Sequence, residues 1–463
     1  MLRERYEADA DFWAIIEKLA IEMEPELAAI DKLLDDDELY NLIKLDFGQR
    51  YPKTLETGRY SSPVEVLLRM LTVKRLYSWT YRQTAWHVKD SLVMRWFCRI
   101  YWEAVPDYST VDKWALTLRP ETLHAFNERV SELAKQLKVT RGRKLRTDGT
   151  VVETNIHYPT DSSLLADGVR VLSRTLKRAQ VVVGDASDHA KQLFRDRSRS
   201  AKKQAHRIAN GARQRSAAAK ERMKTAYQRL VTVTRATVRQ AQTVVTMLKT
   251  TTSQSAQHLV ETFETYLPRV EQVLDQAVRR VFDGEVVPAT EKIVSLFEAH
   301  TDIIRRKKPG KETEFGHKVW LDEVDGGIVT RWQVLVGNPA EEEQWVPAID
   351  HHIELFGHPP WQASADRGLY SPDNETYATG MGIQRVILPM TGRKDDARRQ
   401  HEQQSWFKRG RHFHAGVEGR ISVLKRKHQL GRCLDHGTDG FDKWVGWGVI
   451  ANNFTRIATA LTA

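Results

Sequence analysis

"KLRTDGTVVETNI", residues 144–156, decides the fold. It switches from the helical texture before it to strand-like alternation. Its Asp148-Gly149 pair sits between the short basic run "RKLR" and the branched apolar run "TVVETNI". An Asp-Gly pair between two such runs is a common signature of a tight hairpin turn. The alternative is a strand that carries Asp148 to a sheet edge. "RKLR" is short and barely apolar, which weakens the hairpin reading. Whether "VVETNI" extends the same strand or folds back on "RKLR" stays open at this level.

Working outward, residues 1–138 read as helices joined by short loops. "SSPVEVLLRMLTVKRLY" starts a helix with Ser62 as cap and Pro63 at the first helical position. Thr80 and Gln83 form a capping-box pattern. Ser109 is the expected cap of a later helix. Helices in this rhythm suit either a small bundle or a helix-turn-helix that enters a DNA groove. Residues 161–311 are again helical and strongly basic. Residues 191–224 contain 12 Lys or Arg, opposed only by Asp196 and Glu221. Lys202, Lys203, Arg207, Arg213 and Arg215 are candidates for contact with a DNA backbone, a sequence-independent and salt-sensitive interaction. Val231, Val238 and Val245 recur at heptad spacing, which also suits a dimerisation arm.

From residue 312 the texture is mixed. "WLDEVDGGIVTRW" is a hairpin with a DGG turn. Asp325 reads as its turn residue, and Asp322 stands out beside it. "PWQASADRGLYS" is a short strand ending in a loop, "MGIQRVILPM" is another strand, and "FHAGVEGRISVLKRKHQLGR" is a helix. The strand over 139–160 has no local partner, so it is expected to join the sheet built within 312–463. The helical block is then an insertion into one α/β domain.

The 463 residues suit several domains, and the formal charge of +11 favours a polyanionic partner. Two cysteines far apart exclude a disulfide scaffold and a zinc module. No apolar run approaches the roughly 20 residues of a membrane span, and "MLRERYEADADFWAII" has no signal-peptide core. The expected setting is cytoplasmic, nucleoid-associated when on DNA, with no membrane contact. His351 and His352 sit in a helix without ligand partners. Trp361, Trp444 and Trp447 are expected to be core residues rather than base-stacking platforms.

Three acidic positions suit one another chemically: Asp148 following the first strand, Asp366 following a later strand, and Glu418 on a helix. Carboxylates at strand ends converge on one sheet edge, and a helix across that edge adds a third. Such a cluster repels itself unless a divalent cation neutralises it, and oxygen ligands suit Mg²⁺ or Mn²⁺. Taken singly, each has a plainer reading: a turn, a loop position, a solvated helix position.

"TDGTVVETNI", "ADRGLYS" and "FHAGVEGRISVLKRKHQLGR" resemble, in order, the active-site segments of DDE transposases of bacterial insertion sequences, of the IS5/IS1182-like or ISNCY-type groups. "LLRMLTVKRLYSWTYRQTAWHVKDSLVMRWFCRI" resembles their N-terminal domain. The resemblance implies an RNase H-like catalytic domain with catalytic and metal-binding Asp148, Asp366 and Glu418 around two Mg²⁺ (or Mn²⁺) ions. It implies cleavage and strand transfer at terminal inverted repeats, on double-stranded DNA, by a homodimer or larger assembly. Relatives carry Tyr and Arg before the helix Glu and Lys after it. Here Arg411 stands seven residues before Glu418, His414 four before and Lys425 seven after, which places basic groups near one helix face. A metal-dependent nuclease without joining activity, or an inactive DNA-binding relative, are the competing expectations.

Overall fold

The computed structural model describes residues 1–463 except 52, 54–56, 58–59, 184–192, 215, 252, 306–311 and 338. They divide into two compact units, residues 1–154 with 317–463, and residues 155–316. No helix among the described residues is long and apolar enough to cross a membrane.

The first unit opens with α1 (Ala10–Lys18), α2 (Pro25–Leu33), α3 (Asp37–Gly48), α4 (Val64–Leu76), α5 (Tyr81–Asp90), α6 (Leu92–Phe97), α7 (Tyr108–Ala115) and α8 (Pro120–Gln136). Their starts follow local capping chemistry. Thr80 and Gln83 form the expected reciprocal capping box of α5. Two expected caps move by one or two residues. Pro63, not Ser62, occupies the cap of α4, because its fixed φ and missing N–H suit a helix entry. Asp107, not Ser109, caps α7: its carboxylate accepts from the Ser109 N–H at 2.9 Å. Helix α4 is buried almost all round. Its Arg69 side chain is fully buried and donates to Asp31 at 2.6 Å, to Asp35, to Glu65 and to the Phe97 carbonyl. Arg99 joins the same carboxylates, so one ionic network ties α4 to α2.

Next comes β1 (Lys144–Glu153), one continuous strand. Asp148 is therefore mid-strand, and "VVE" prolongs the strand rather than turning back. Gly149 lacks the positive φ that an Asp-Gly hairpin turn demands. A Cβ there would lie 3.2 Å from the buried Trp320 ring, so glycine permits close packing of the neighbouring strand.

The second unit holds α9 (Asp161–Val183), α10 (Ser198–Gly211), α11 (Ala217–Lys249) and α12 (Gln254–Val281) around its own core, including Leu165, Leu172, Leu230, Phe263 and Val273. Val231 and Val238 are buried in that core and Val245 packs against it. The heptad valines thus serve internal packing. A short strand, β2 (Asp302–Arg305), pairs antiparallel with residues 313–316, which begin β3 (Thr313–Val324). Four residues without alternation gave the sequence no signal for β2.

The chain re-enters the first unit along β3. The DGG turn leads into the antiparallel β4 (Ile328–Leu335), with Gly326 and Gly327 at φ 86° and 78°. Asp325 is the turn residue expected. Its carboxylate also accepts from the Arg141 and Lys144 N–H groups, each at 3.0 Å. Then follow α13 (Trp345–Phe356), β5 (Gln362–Ser364), α14 (Pro372–Gly380), β6 (Arg385–Ile387), α15 (Asp396–Gln403), α16 (Ser405–Lys427) and α17 (Gly437–Thr462). In this unit the strand order is β4-β3-β1-β5-β6. The β1–β5 and β5–β6 pairs are parallel, with Lys144 opposite Gln362 and Gln362 opposite Arg385. The result is a mixed α/β sheet. Leu39, Phe47, Leu67 and Phe126 of the N-terminal helices share one core with Trp320, Trp332, Ile450 and Phe454.

Burial gives two histidines a measurable consequence. His352 on α13 is buried, and its Nε2 lies 2.9 Å from the Gly142 carbonyl, which selects the Nε2–H tautomer. Burial pulls it down to about 4, and pulls the buried His428 down to about 3. Both are neutral in the fold while the unfolded chain protonates near 6.5. Below pH 6.5 the unfolded state binds more protons, so stability is lost as pH falls towards 4. The expected loss is about 1.4 kcal/mol per pH unit for each histidine. Urea midpoints at a series of pH values check this, with His352→Gln expected to remove one histidine's share of the slope.

Candidate active site

β1, β5 and α16 build the site. Side chains alternate along β1, so Arg146 and Asp148 share one face while Thr147 turns to the other and bonds the buried Asp322. Asp322 also accepts from Arg331 at 3.0 Å, so this outlying carboxylate is spent in a structural ion pair. Asp366 stands just beyond the end of β5, where its carboxylate accepts from the Arg367 N–H at 2.6 Å. Helix α16 packs against β1, β5 and β6.

The structure brings Asp148, Asp366 and Glu418 to the lining of one cleft of about 260 Å³, with Arg411, His414 and Arg367. Asp148 is half-buried, whereas Asp366 and Glu418 are exposed. Burial lowers the His414 pKa, and the Asp366 carboxylate partly offsets that. At neutral pH its imidazole is therefore a neutral polar wall. Two guanidinium groups supply the positive charge. Arg367 was not singled out from sequence, although its place directly after Asp366 was the available signal.

Lys425 does not line this cleft. Seven residues carry a helix about 10.5 Å along its axis, and so small a cleft ends before that. Lys425 lies instead in the last turn of α16 with Arg426 and Lys427, where the helix dipole favours cations. Lys202, Lys203 and Arg207 are exposed on α10, and Arg213 is exposed just after it, all in the second unit. Arg215 lies outside the described residues. Of the three tryptophans, Trp444 is buried and Trp447 packs on the core. Trp361 differs from expectation: it is 38% exposed, with the Arg385 guanidinium 4.1 Å from its ring. A neighbouring cation covers the ring where core side chains were expected.

Beneath the cleft lies an ionic clamp that sequence reading missed. The buried Glu323 on β3 accepts from Arg146 Nη2 and Nε at 2.7 and 2.8 Å, and from Arg420 at 3.1 Å. Arg146 also donates to the Phe413 carbonyl at 2.7 Å. Gly416 makes room for that guanidinium, since a Cβ there would collide with it. One carboxylate thus sets the strand of Asp148 against the helix of Glu418.

The three carboxylates of the cleft offer the hard oxygen donors that suit a divalent ion. They are set wider than a ligand cluster: among the described residues, no group of three His, Cys, Asp or Glu stands close enough to hold a metal. The donor chemistry fits, and closure around an ion requires the cleft to draw in.

Comparison with known proteins bears on the N-terminal helices. Residues 16–115, from the end of α1 to the end of α7, match the family model described as "Transposase domain (DUF772)". No curated protein and no solved structure matches the chain. These helices, which share a core with the sheet that carries the carboxylate cleft, are thus similar to a transposase domain over residues 16–115.

Proposed function

We propose that this chain is a DDE transposase of the IS5/IS1182-like or ISNCY-type insertion sequences, acting in the cytoplasm on nucleoid DNA. One observation carries the reading. Carboxylates from two strands' ends or middles and one helix meet in a cleft walled by guanidinium groups, in a chain similar to a transposase domain over residues 16–115. The strand order, an antiparallel β3–β4 pair on one side of β1 and parallel β5 and β6 on the other, supports an RNase H-like reading of the α/β domain.

Asp148, Asp366 and Glu418 would hold two Mg²⁺ or Mn²⁺ ions, which supply activation of water or a 3′-hydroxyl and stabilisation of the leaving oxygen. Arg411 and Arg367 attract and orient the scissile phosphate. His414 offers an uncharged hydrogen-bonding edge. Lys425 extends the positive path along α16. Lys202, Lys203, Arg207 and Arg213 add sequence-independent backbone affinity. The N-terminal helices recognise terminal inverted repeats. Joining two DNA ends to a target requires a dimer or larger assembly on DNA.

The test is a joining assay with a pre-cleaved terminal repeat, Mg²⁺ and supercoiled target. Covalent joining of the 3′-end is the expected result. Cleavage of an intact end without joining would favour a nuclease. Neither activity with Mg²⁺ or Mn²⁺, despite DNA binding, would leave only an inactive DNA-binding relative.

A further inference from the structure

The second unit contains a cleft of about 490 Å³ between α10 and α11. Arg207 enters it from α10, and Arg222 and Arg229 from α11. Its remaining polar lining consists of carboxamides and a hydroxyl, including Gln204, Asn210 and Gln214, with no carboxylate. The buried Ala219 and Ala226 floor it. Arg222 and Arg229 are two helical turns apart, about 10.5 Å, and so project on one side of α11.

Three other arginines of the same unit are neutralised by carboxylates. Arg279 pairs with Asp275, Glu285 and Glu291, Arg280 with Asp161, and Arg170 with Asp167. Among the described residues, Arg207, Arg222 and Arg229 form no ion pair. Arg207 donates instead to Gln204 at 3.4 Å and Arg222 to Gln214 at 3.2 Å. Neutral amides orient these forks without neutralising them. Between residues 198 and 229 the sequence carries ten Lys or Arg and one acidic residue, Glu221. Three uncompensated guanidinium groups around one concave site raise one another's energy, and an anion relieves this.

We propose that the α10–α11 cleft is a preformed phosphodiester site that grips the backbone of duplex DNA through Arg207, Arg222 and Arg229. It rests on the reading of the chain as a DNA-acting protein and makes that reading specific. Arg222 and Arg229 join Arg207 as the centre of the contact, and the exposed lysines of α10 are peripheral. Guanidinium forks match phosphate oxygens two at a time, which a lysine does not.

The experiment measures affinity of the full chain for a short duplex of random sequence between about 50 and 200 mM salt, without divalent metal. Each lost phosphate contact lowers the slope of log affinity against log salt by about 0.9, so R207Q/R222Q/R229Q is expected to lower it by about 2 to 3. The lysine triple R207K/R222K/R229K keeps the charge and is expected to restore most of the slope, which a folding defect would not allow. A glutamine triple with an intact helical spectrum and a slope changed by less than about 0.5 would overturn the proposal. So would pyrophosphate binding that depends on the three arginines while the duplex slope does not, since the cleft would then be a small-anion site. The readout needs no cleavage, so it fails independently of the carboxylate reading.

Discussion

Replacing Asp148 with Asn is expected to lower Mg²⁺-dependent DNA cleavage and joining by at least about a hundredfold, with duplex affinity nearly unchanged. The magnitude follows from the chemistry of the proposed site. Losing a residue that merely orients a metal ligand costs about 10- to 100-fold, so losing the ligand's own charge should cost no less. Asparagine keeps the size and one oxygen of aspartate. It can still accept the Gly149 N–H that Asp148 holds at 2.7 Å, so β1 is expected to keep its register. Asp148 contributes no positive charge to DNA binding, so the salt slope should not move. Single-turnover cleavage together with a binding isotherm separates these effects. Cleavage retained within about tenfold would remove Asp148 from the active site, and parallel loss of binding would make it a structural residue instead.

The largest stability effect is expected at Arg69. Arg69→Met should destabilise the first unit by about 3 to 5 kcal/mol, the usual cost of removing one partner from a buried ion pair. The reason lies in what remains. The Asp31 and Glu65 side chains, 14% and 12% exposed, would keep only Arg99 and, at Glu65, the half-exposed Arg5 as partners. The Phe97 carbonyl would also lose its donor. Methionine fills much of the same volume, so packing loss contributes less. Urea unfolding of the full chain measures the change. Adding Asp31→Asn to Arg69→Met should recover part of it, because the stranded charge is then removed. A loss below about 1 kcal/mol would mean that water or Arg99 compensates the network.

Much of the local structure was legible. The Thr80–Gln83 capping box, the DGG turn and the helix of Glu418 each depend on residues a few positions apart, and all stand where their patterns place them. Errors were also local. Ser62 and Ser109 are good capping residues, yet Pro63 and Asp107 stand directly before the first helical residues and took the caps, with Ser109 already inside its helix. The short β2 carries no periodicity and was missed.

Residues 144–156 show where local reading ends. By itself the sequence determined that this run is strand-forming, that it stands between helical blocks, and that an acid sits within it. Those properties follow from alternation and branching, which act over neighbouring residues. Only the tertiary structure decided that Asp148 is mid-strand. Its strand takes partners from β3 and from β5, whose Gln362 pairs with Lys144 across a chain distance no periodicity can encode. The same holds for the meeting of Asp148 with Asp366 and Glu418, for the Glu323 clamp that sets strand against helix, and for the arginines that face one cleft between α10 and α11. Charge and hydrogen-bond geometry act through space, and the fold alone determines which distant groups are brought within their reach.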